Sequence, residues 1–335
     1  MRTFDYSFLE QGTLPACFVN IVSEIAVLQE RINNRKDVLD DVLEKLEPIA
    51  RDKSVRASGE IAGVTDEENL VGYREALALI HDDSTHPAFQ ENIREDDIFR
   101  LHGFLLLSNH TLGLYRQNHK KIEIKLKGNQ KFQFSPITSR EMSLAIEQLI
   151  NAYAEAWNNP KISRLLLIPC VAFDFLCVYP FTEGNGRMSR LLSLLLLYKS
   201  GFDVGRYISF EEKICNSKEE YFAAIRECSN DWHENQNSYF PFIKHFLDTL
   251  LICYRELDKY KGKTQRGVEN INQVPKNQQI RDFVLGSLIP VSKQEICDVL
   301  SDVSSTTVES VLGSMIREGV IEKVGKGRST KYIKK

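Results

Sequence analysis

The chain has 335 residues, is 42% hydrophobic and carries a formal net charge of −3, which is enough apolar material for one large core or two to three smaller ones. Such a balance excludes a protein that coats nucleic acid or an anionic membrane with its whole surface, and leaves room only for a local basic patch. The seven cysteines, at 17, 170, 177, 215, 228, 253 and 297, are never spaced C-x-x-C, which argues against a disulfide framework or a zinc site and for a reducing cytoplasm.

The first residues, Met1 to Tyr6, are polar and aromatic where a secretory signal has an apolar run. No apolar stretch reaches the ~20 residues of a spanning helix, so a cytoplasmic protein without membrane contact is expected. From about Leu14 to Ile49, apolar residues recur every three to four positions (Val19, Ile21, Ile25, Leu28, Ile32, then Val38, Val42, Leu43, Leu46) and predict a helical hairpin. Periodic segments near 66–81, 89–113, 138–158, 162–177, 187–200, 218–230 and 238–259 predict that the first 260 residues are mainly α.

Lys121 to Phe134 breaks this pattern, because it alternates apolar and polar residues around Gly128-Asn129. That spacing predicts a two-stranded flap, which must lean on the helices and offers an edge to an extended peptide. A composition shift over 259–278 predicts a linker. Beyond it, Gln279–Ile289, Ser292–Leu300 and Ser304–Gly319 read as helices, and Val320–Val324 and Thr330–Ile333 as strands flanking Gly325-Lys326-Gly327-Arg328. This order predicts a winged helix-turn-helix domain over 279–335.

The segment Glu183-Gly184-Asn185-Gly186-Arg187 lies between two apolar helical stretches. Its glycines supply a tight turn, and the N–H groups of the helix that follows form an anion cradle at the positive end of the dipole. Arg187 and Arg190 share one face and can fork onto phosphate, and Glu183 at the rim can hold a Mg²⁺ that bridges phosphates. The residues alone equally allow a turn that caps two helices beside surface arginines.

The full string Tyr179-Pro180-Phe181-Thr182-Glu183-Gly184-Asn185-Gly186-Arg187-Met188-Ser189-Arg190 resembles the Fic-family signature His-Pro-Phe-x-(Asp/Glu)-Gly-Asn-Gly-Arg-x-x-Arg at every fixed position except the first. The resemblance covers roughly 60–258. It divides the chain into an N-terminal helical region (1–60), a Fic-like helical bundle with a β-hairpin flap (61–258), the linker and the winged helix. It implies transfer of AMP from ATP onto a hydroxyl of a target protein, with release of pyrophosphate. Glu183 then corresponds to the Mg²⁺ ligand, Gly184, Asn185 and Gly186 to the cradle, Arg187 and Arg190 to the phosphate arginines, and Phe181 to the loop's anchor. Leu112 to Arg116, the 121–134 flap and Phe134-Ser135-Pro136 look like the target-docking region. Tyr221-Phe222 looks like the adenine-side aromatic pair, or is plain core.

Two departures stand out. The family's histidine is a general base, and Tyr179 holds its place; a phenol with a pKa of about 10 is protonated at neutrality unless Arg187 or a metal depresses it. None of the seven histidines is near the motif in sequence. The site is therefore a retained nucleotide site without fast chemistry, a site using substrate geometry or another base, or one with a distinct role for the tyrosine. Second, Ser58-Gly59-Glu60-Ile61-Ala62-Gly63 resembles the family's autoinhibitory Ser-x-x-x-Glu-Gly with Ala62 in place of glutamate. That change is expected to leave Arg190 unpaired by this segment unless a shifted helix brings Glu60 in; read on residues alone it is a loop Ser-Gly.

At the C-terminus, Ser304 to Thr307 cap the candidate recognition helix, and Lys323, Lys326, Arg328 and Lys331 decorate the wing. Glu309 and Glu318 reduce the positive character of that helix, so DNA and a protein partner, a second copy of the chain included, are both open. Two functions follow: an adenylyltransferase that presents a target along the flap to Mg·ATP, or a catalytically weakened nucleotide sensor reporting through the winged helix.

Overall fold

The computed structural model describes residues 2–64, 67–81, 93–106, 115–118, 121–125, 131–260, 276–287, 290–300, 303–325 and 330–334. Among them the chain is mainly helical with two small antiparallel sheets. It divides into two compact units, Met1–Gly262 and Lys263–Lys335. No helix among the described residues is long and apolar enough to cross a membrane, and all seven cysteines are free thiols.

In the first unit, α1 (Phe8–Gln11), α2 (Ala16–Asn33), α3 (Lys36–Ala62), α4 (Glu67–His81) and α5 (Glu95–Leu106) precede a hairpin of β1 (Ile122–Lys125) and β2 (Lys131–Phe134). Then follow α6 (Met142–Asn158), α7 (Arg164–Val178), α8 (Asn185–Lys199), α9 (Phe210–Asn216), α10 (Lys218–Ser229) and α11 (Phe240–Asp258). Helices α7 and α8 are buried along most of their length, and α7 is apolar almost all round, which places them at the centre of the bundle. Helix α7 packs on α6, α8 and α11, while α3 and α4 cover α8.

The helical hairpin is present as α2 and α3, but its second arm runs on to Ala62. The Ser58–Gly63 stretch is therefore the last turn of a helix and not a loop, closed by Gly63 in the left-handed region at φ 69°. Pro48 lies inside α3, where burial of Leu43, Ala50, Val55 and Ile61 along one face outweighs the single N–H bond a proline forfeits. The expected division at 60/61 falls within this helix, and both sides of it belong to one compact unit.

A buried carboxylate secures the N-terminal segment. Asp174 on α7 is fully buried and accepts hydrogen bonds from Tyr6 Oη at 2.9 Å, Tyr239 Oη at 2.8 Å and Trp232 Nε1 at 2.7 Å. Arg2 pairs with it at 3.4 Å and also donates to the Trp232 carbonyl at 2.8 Å and Asn237 Oδ1 at 2.7 Å. Burial raises the Asp174 pKa, against the pull of Arg2 and the three neutral donors.

In the flap, Ile122 faces Phe134 and Ile124 faces Phe132 across an antiparallel pair. Its base rests on the bundle: Phe134 meets Trp232 edge-on at 5.8 Å and stacks on His233 at 5.6 Å, and His233 Nε2 lies 2.6 Å from the Ser135 carbonyl. The Gly128-Asn129 turn and Leu112 to Leu114 lie outside the described residues.

The second unit comprises α12 (Lys276–Gly286), β3 (Val291–Ser292), α13 (Lys293–Val299), α14 (Ser305–Arg317), β4 (Ile321–Val324) and β5 (Lys331–Lys334). The strands form an antiparallel sheet in the order β3-β5-β4. Ile280, Val284, Ile296, Val308, Leu312 and Met315 make its core. Ser292 and Glu295 form a capping box on α13, and Ser304 Oγ accepts from Thr307 N–H to cap α14. Residues 261–275 of the expected linker, and Lys326 and Arg328, lie outside the described residues.

Candidate functional site

Helix α7 ends at Tyr179, which adopts the left-handed conformation (φ 54°, ψ 59°) as C-cap. The chain turns through Pro180 to Glu183, and Gly184 caps α8 at φ 79°. Glycine is required there: the φ is strained for any side chain, and a Cβ would sit 3.0 Å from Leu105 Cδ2. Asn185 clamps the loop from inside, its Oδ1 accepting from Phe181 N–H at 2.9 Å and its Nδ2 donating to the Phe181 carbonyl at 2.8 Å. Its side chain thus shapes the cradle from behind.

Two residues outside the motif complete the loop's support. Arg116 donates from Nε to the Tyr179 carbonyl at 2.8 Å, from its other guanidinium nitrogens to the carbonyls of Asn118 and Ile137, and from its backbone N–H to the Pro180 carbonyl. His102 stacks flat on Phe181 and places Nε2 3.2 Å from the Glu183 carbonyl. A carbonyl only accepts, so His102 carries its proton on Nε2. Burial, reinforced by the Arg187 charge, lowers its pKa to about 4 despite that bond.

The first intrahelical bond of α8 runs from Met188 N–H to the Gly184 carbonyl at 2.8 Å. The N–H groups of Asn185, Gly186 and Arg187 precede that ladder at the positive end of the helix, an arrangement suited to an anion. Glu183 projects from the rim as an exposed side chain. No cluster of three or more His, Cys, Asp or Glu side chains able to hold a metal exists among the described residues. A Mg²⁺ at Glu183 would thus take its other oxygens from phosphate and water, the usual mode for this cation.

Arg187 and Arg190 are both buried, each 3% exposed. Arg190 is not left unpaired by the α3 segment. Its Nε and one terminal nitrogen (Nη2) donate to Ser58 Oγ at 3.0 and 2.9 Å, and Nη2 also donates to the Ser58 carbonyl at 2.9 Å. Ser58 thus replaces a carboxylate as the partner, because α3 brings its last turn alongside α8. Ala62 is exposed at the end of that turn, and Glu60, also exposed, bonds to Cys215. Tyr221 is buried, hydrogen bonded to Arg190 and packed against Phe222, Phe242 and His245.

Tyr179 is half-buried. Burial raises its phenol pKa, against the Asn185 hydrogen bond and the Arg116 charge. The cation beside it is therefore Arg116, and the net effect is the reverse of the depression a general base requires.

The structure brings Tyr179, Glu183, Gly184, Asn185, Gly186, Arg187, Arg190, Tyr221 and Ser58 around one loop and helix start, and leaves Ala62 aside. Sequence reading missed the roles of His102 and helix α9, and it assigned Arg116 to the target-docking segment and not to the loop it holds. Helix α9 had a legible signal, the Ser209-x-x-Glu212 start, with Ser209 Oγ accepting from Glu212 N–H at 2.9 Å.

Fold and site define a helical-bundle protein with a glycine-containing loop that opens a central helix with N–H groups ahead of its ladder. Residues 92–197 match the model of the Fic/DOC family, and the chain carries a domain of that family. The fold agrees with solved structures. A Fic family protein from Desulfovibrio desulfuricans G20 is 18% identical with a TM-score of 0.56, over 96% of this chain and 97% of that one. A Fic domain containing signaling protein from Bacteroides thetaiotaomicron VPI-5482 is 17% identical with a TM-score of 0.52, over 72% of this chain and 95% of that one. Fic-1 from C. elegans is 17% identical with a TM-score of 0.53, over 72% of each chain. No curated protein matches the sequence. Members of the family commonly transfer AMP or other groups to proteins.

Proposed function

We propose that the loop 183–190 binds ATP with Mg²⁺ and that the domain transfers AMP, slowly, to a hydroxyl of a target protein laid along the 121–134 flap. The observation that carries this reading is the α8 N-terminus, with its N–H groups ahead of the ladder, Glu183 at the rim and two buried arginines behind. Mg²⁺ held by Glu183 would neutralise phosphate charge as the leaving pyrophosphate forms. In the transfer, the target oxygen forms a bond to the α-phosphorus, the bond to pyrophosphate breaks, and the hydroxyl proton must leave. Tyr179 is poorly suited to accept that proton, since burial raises its pKa. Low rate is the consequence.

The same observation favours a second reading: a nucleotide-binding regulator without transfer. Its output would pass through the Lys263–Lys335 unit, read as a winged helix that contacts DNA or a protein. Glu309 and Glu318 are paired there with Lys293 and Arg281, which offsets the acidic character of α14 toward a phosphate backbone. Loss of duplex binding on truncation after Leu257, with steep salt dependence, supports the DNA form; salt-independent or absent binding removes it.

One experiment separates the two functions. Wild type, Tyr179→His and Arg187→Ala are incubated with α-labelled ATP and Mg²⁺. Label on protein with wild type supports transfer, and label confined to Tyr179→His supports the regulator. Calorimetry that finds no Mg·ATP binding by wild type removes both.

A further inference from the structure

Arg190 is the second cationic group of the candidate phosphate site, yet it lies 3% exposed among helices. A guanidinium never loses its charge, so its burial demands a counter-charge and a partner for its N–H groups. A carboxylate, Glu211, in the first turn of α9 and fully buried, is reached from Arg190 through the hydroxyls of Ser58 and Tyr73. It accepts from Tyr73 Oη at 2.7 Å on one oxygen and from Ser54 Oγ at 2.7 Å on the other. Tyr73, also fully buried, is hydrogen bonded to Ser58, which in turn holds Arg190.

The direction of each bond follows from the donors available. Arg190 can only donate, so Ser58 Oγ accepts from it and gives its own hydrogen to Tyr73. Tyr73 then gives its hydrogen to Glu211, which as a carboxylate can only accept. Four buried side chains from α8, α3, α4 and α9 thus form a relay polarised from guanidinium to carboxylate, the arrangement in which successive bonds reinforce one another.

We propose that Tyr73 and Glu211 are positioning residues for Arg190, acting through Ser58 to aim its other terminal nitrogen, Nη1, at the anion cradle. Ser58 takes three of the five N–H bonds of the guanidinium, one from Nε and two from Nη2. The remaining nitrogen, Nη1, has two hydrogens to share between Tyr221 and the cradle, and lies 3.7 Å from where a Cβ on Gly186 would stand. Arg190 therefore meets phosphate end-on through Nη1, not as a side-on fork. This inference rests on the phosphate-binding reading of the loop.

The test uses the full chain. Calorimetry compares Mg·ATP and AMP binding by wild type, Tyr73→Phe and Glu211→Gln, and NMR follows exchange of the Arg190 Nε–H with water. Because Arg190 adds a donor beyond the cradle and Arg187, both variants are expected to weaken ATP about tenfold and AMP about threefold or less. Faster Nε–H exchange in Tyr73→Phe is expected as well. Unchanged or tighter ATP binding, equal losses for ATP and AMP, or unchanged exchange overturns the proposal. Should wild type bind no nucleotide, the phosphate reading itself fails, and the exchange measurement still decides whether the relay holds Arg190. Tyr73→Phe keeps the ring and serves if Glu211→Gln does not fold.

Discussion

The imidazole of His102 lies on the ring of Phe181 with centroids 3.6 Å apart and planes 8° from parallel, while its Nε2 meets the Glu183 carbonyl. One side chain from α5 thus holds both Phe181 and the Glu183 backbone of the loop that opens α8. The site favours a neutral ring, because burial disfavours its charge and Arg187 adds to that effect.

That preference gives the fold a pH dependence. His102 has a pKa of about 4 when folded, against an ordinary value of about 6.5 for an accessible imidazole. Between those values the unfolded chain binds the extra proton, so this contribution is present above about pH 6.5 and is lost as pH falls toward about 4. From pH 7 to pH 5 the loss is on the order of 2 kcal/mol. Urea unfolding at both pH values should show that part of the pH sensitivity removed in His102→Gln; identical pH dependence in wild type and variant would contradict it.

Tyr179 makes a kinetic prediction. If its phenolate is the base, the transfer rate rises tenfold per pH unit from 7 to beyond 9, because burial has moved the phenol further from neutrality. Tyr179→Phe should then abolish that slope, and Tyr179→His should bring the rise down to around pH 6 to 7. A flat wild-type profile that survives Tyr179→Phe shows that the phenol takes no proton.

Asp174 is a stability hub. Replacing it with Ala leaves Arg2 buried beside the orphaned groups of Tyr6, Tyr239 and Trp232. A loss of about 3–5 kcal/mol is expected, the range for breaking one side of a buried pair. Chemical denaturation measures it, and a loss below about 1 kcal/mol would show that water replaces the network.

Gly184 carries the turn into α8. In Gly184→Ala the left-handed backbone and the approach to Leu105 together should cost about 1–2 kcal/mol of stability and weaken Mg·ATP binding with it. Intact affinity together with an unchanged melting temperature would show that the turn adapts.

Sequence periodicity made the helices and the flap legible because each exposes one face to a core, and a repeat of burial is a repeat in residue type. The motif was legible for a similar reason, since Gly184 and Asn185 answer to local backbone geometry. What periodicity could not carry were contacts between segments distant along the chain. His102 is some eighty positions from the loop it supports, Ser58 is 132 from Arg190, and Arg2 is 172 from Asp174. Pro48 stands inside α3 without ending it, because the burial that keeps the helix intact is tertiary. Glu211 is the sharpest case: an acidic residue in a helix's first turn reads as solvated, and only the packing of α3 and α4 on α9 buries it against the hydroxyls of Ser54 and Tyr73.

The grip of Arg116 on position 179 falls on a carbonyl oxygen, which every amino acid possesses, and the left-handed C-cap there is a property of the main chain. Histidine tolerates that region more readily than most side chains. The frame at this point is accordingly fastened to the main chain, while the phenol itself is tied only by its partial burial and the Asn185 hydrogen bond.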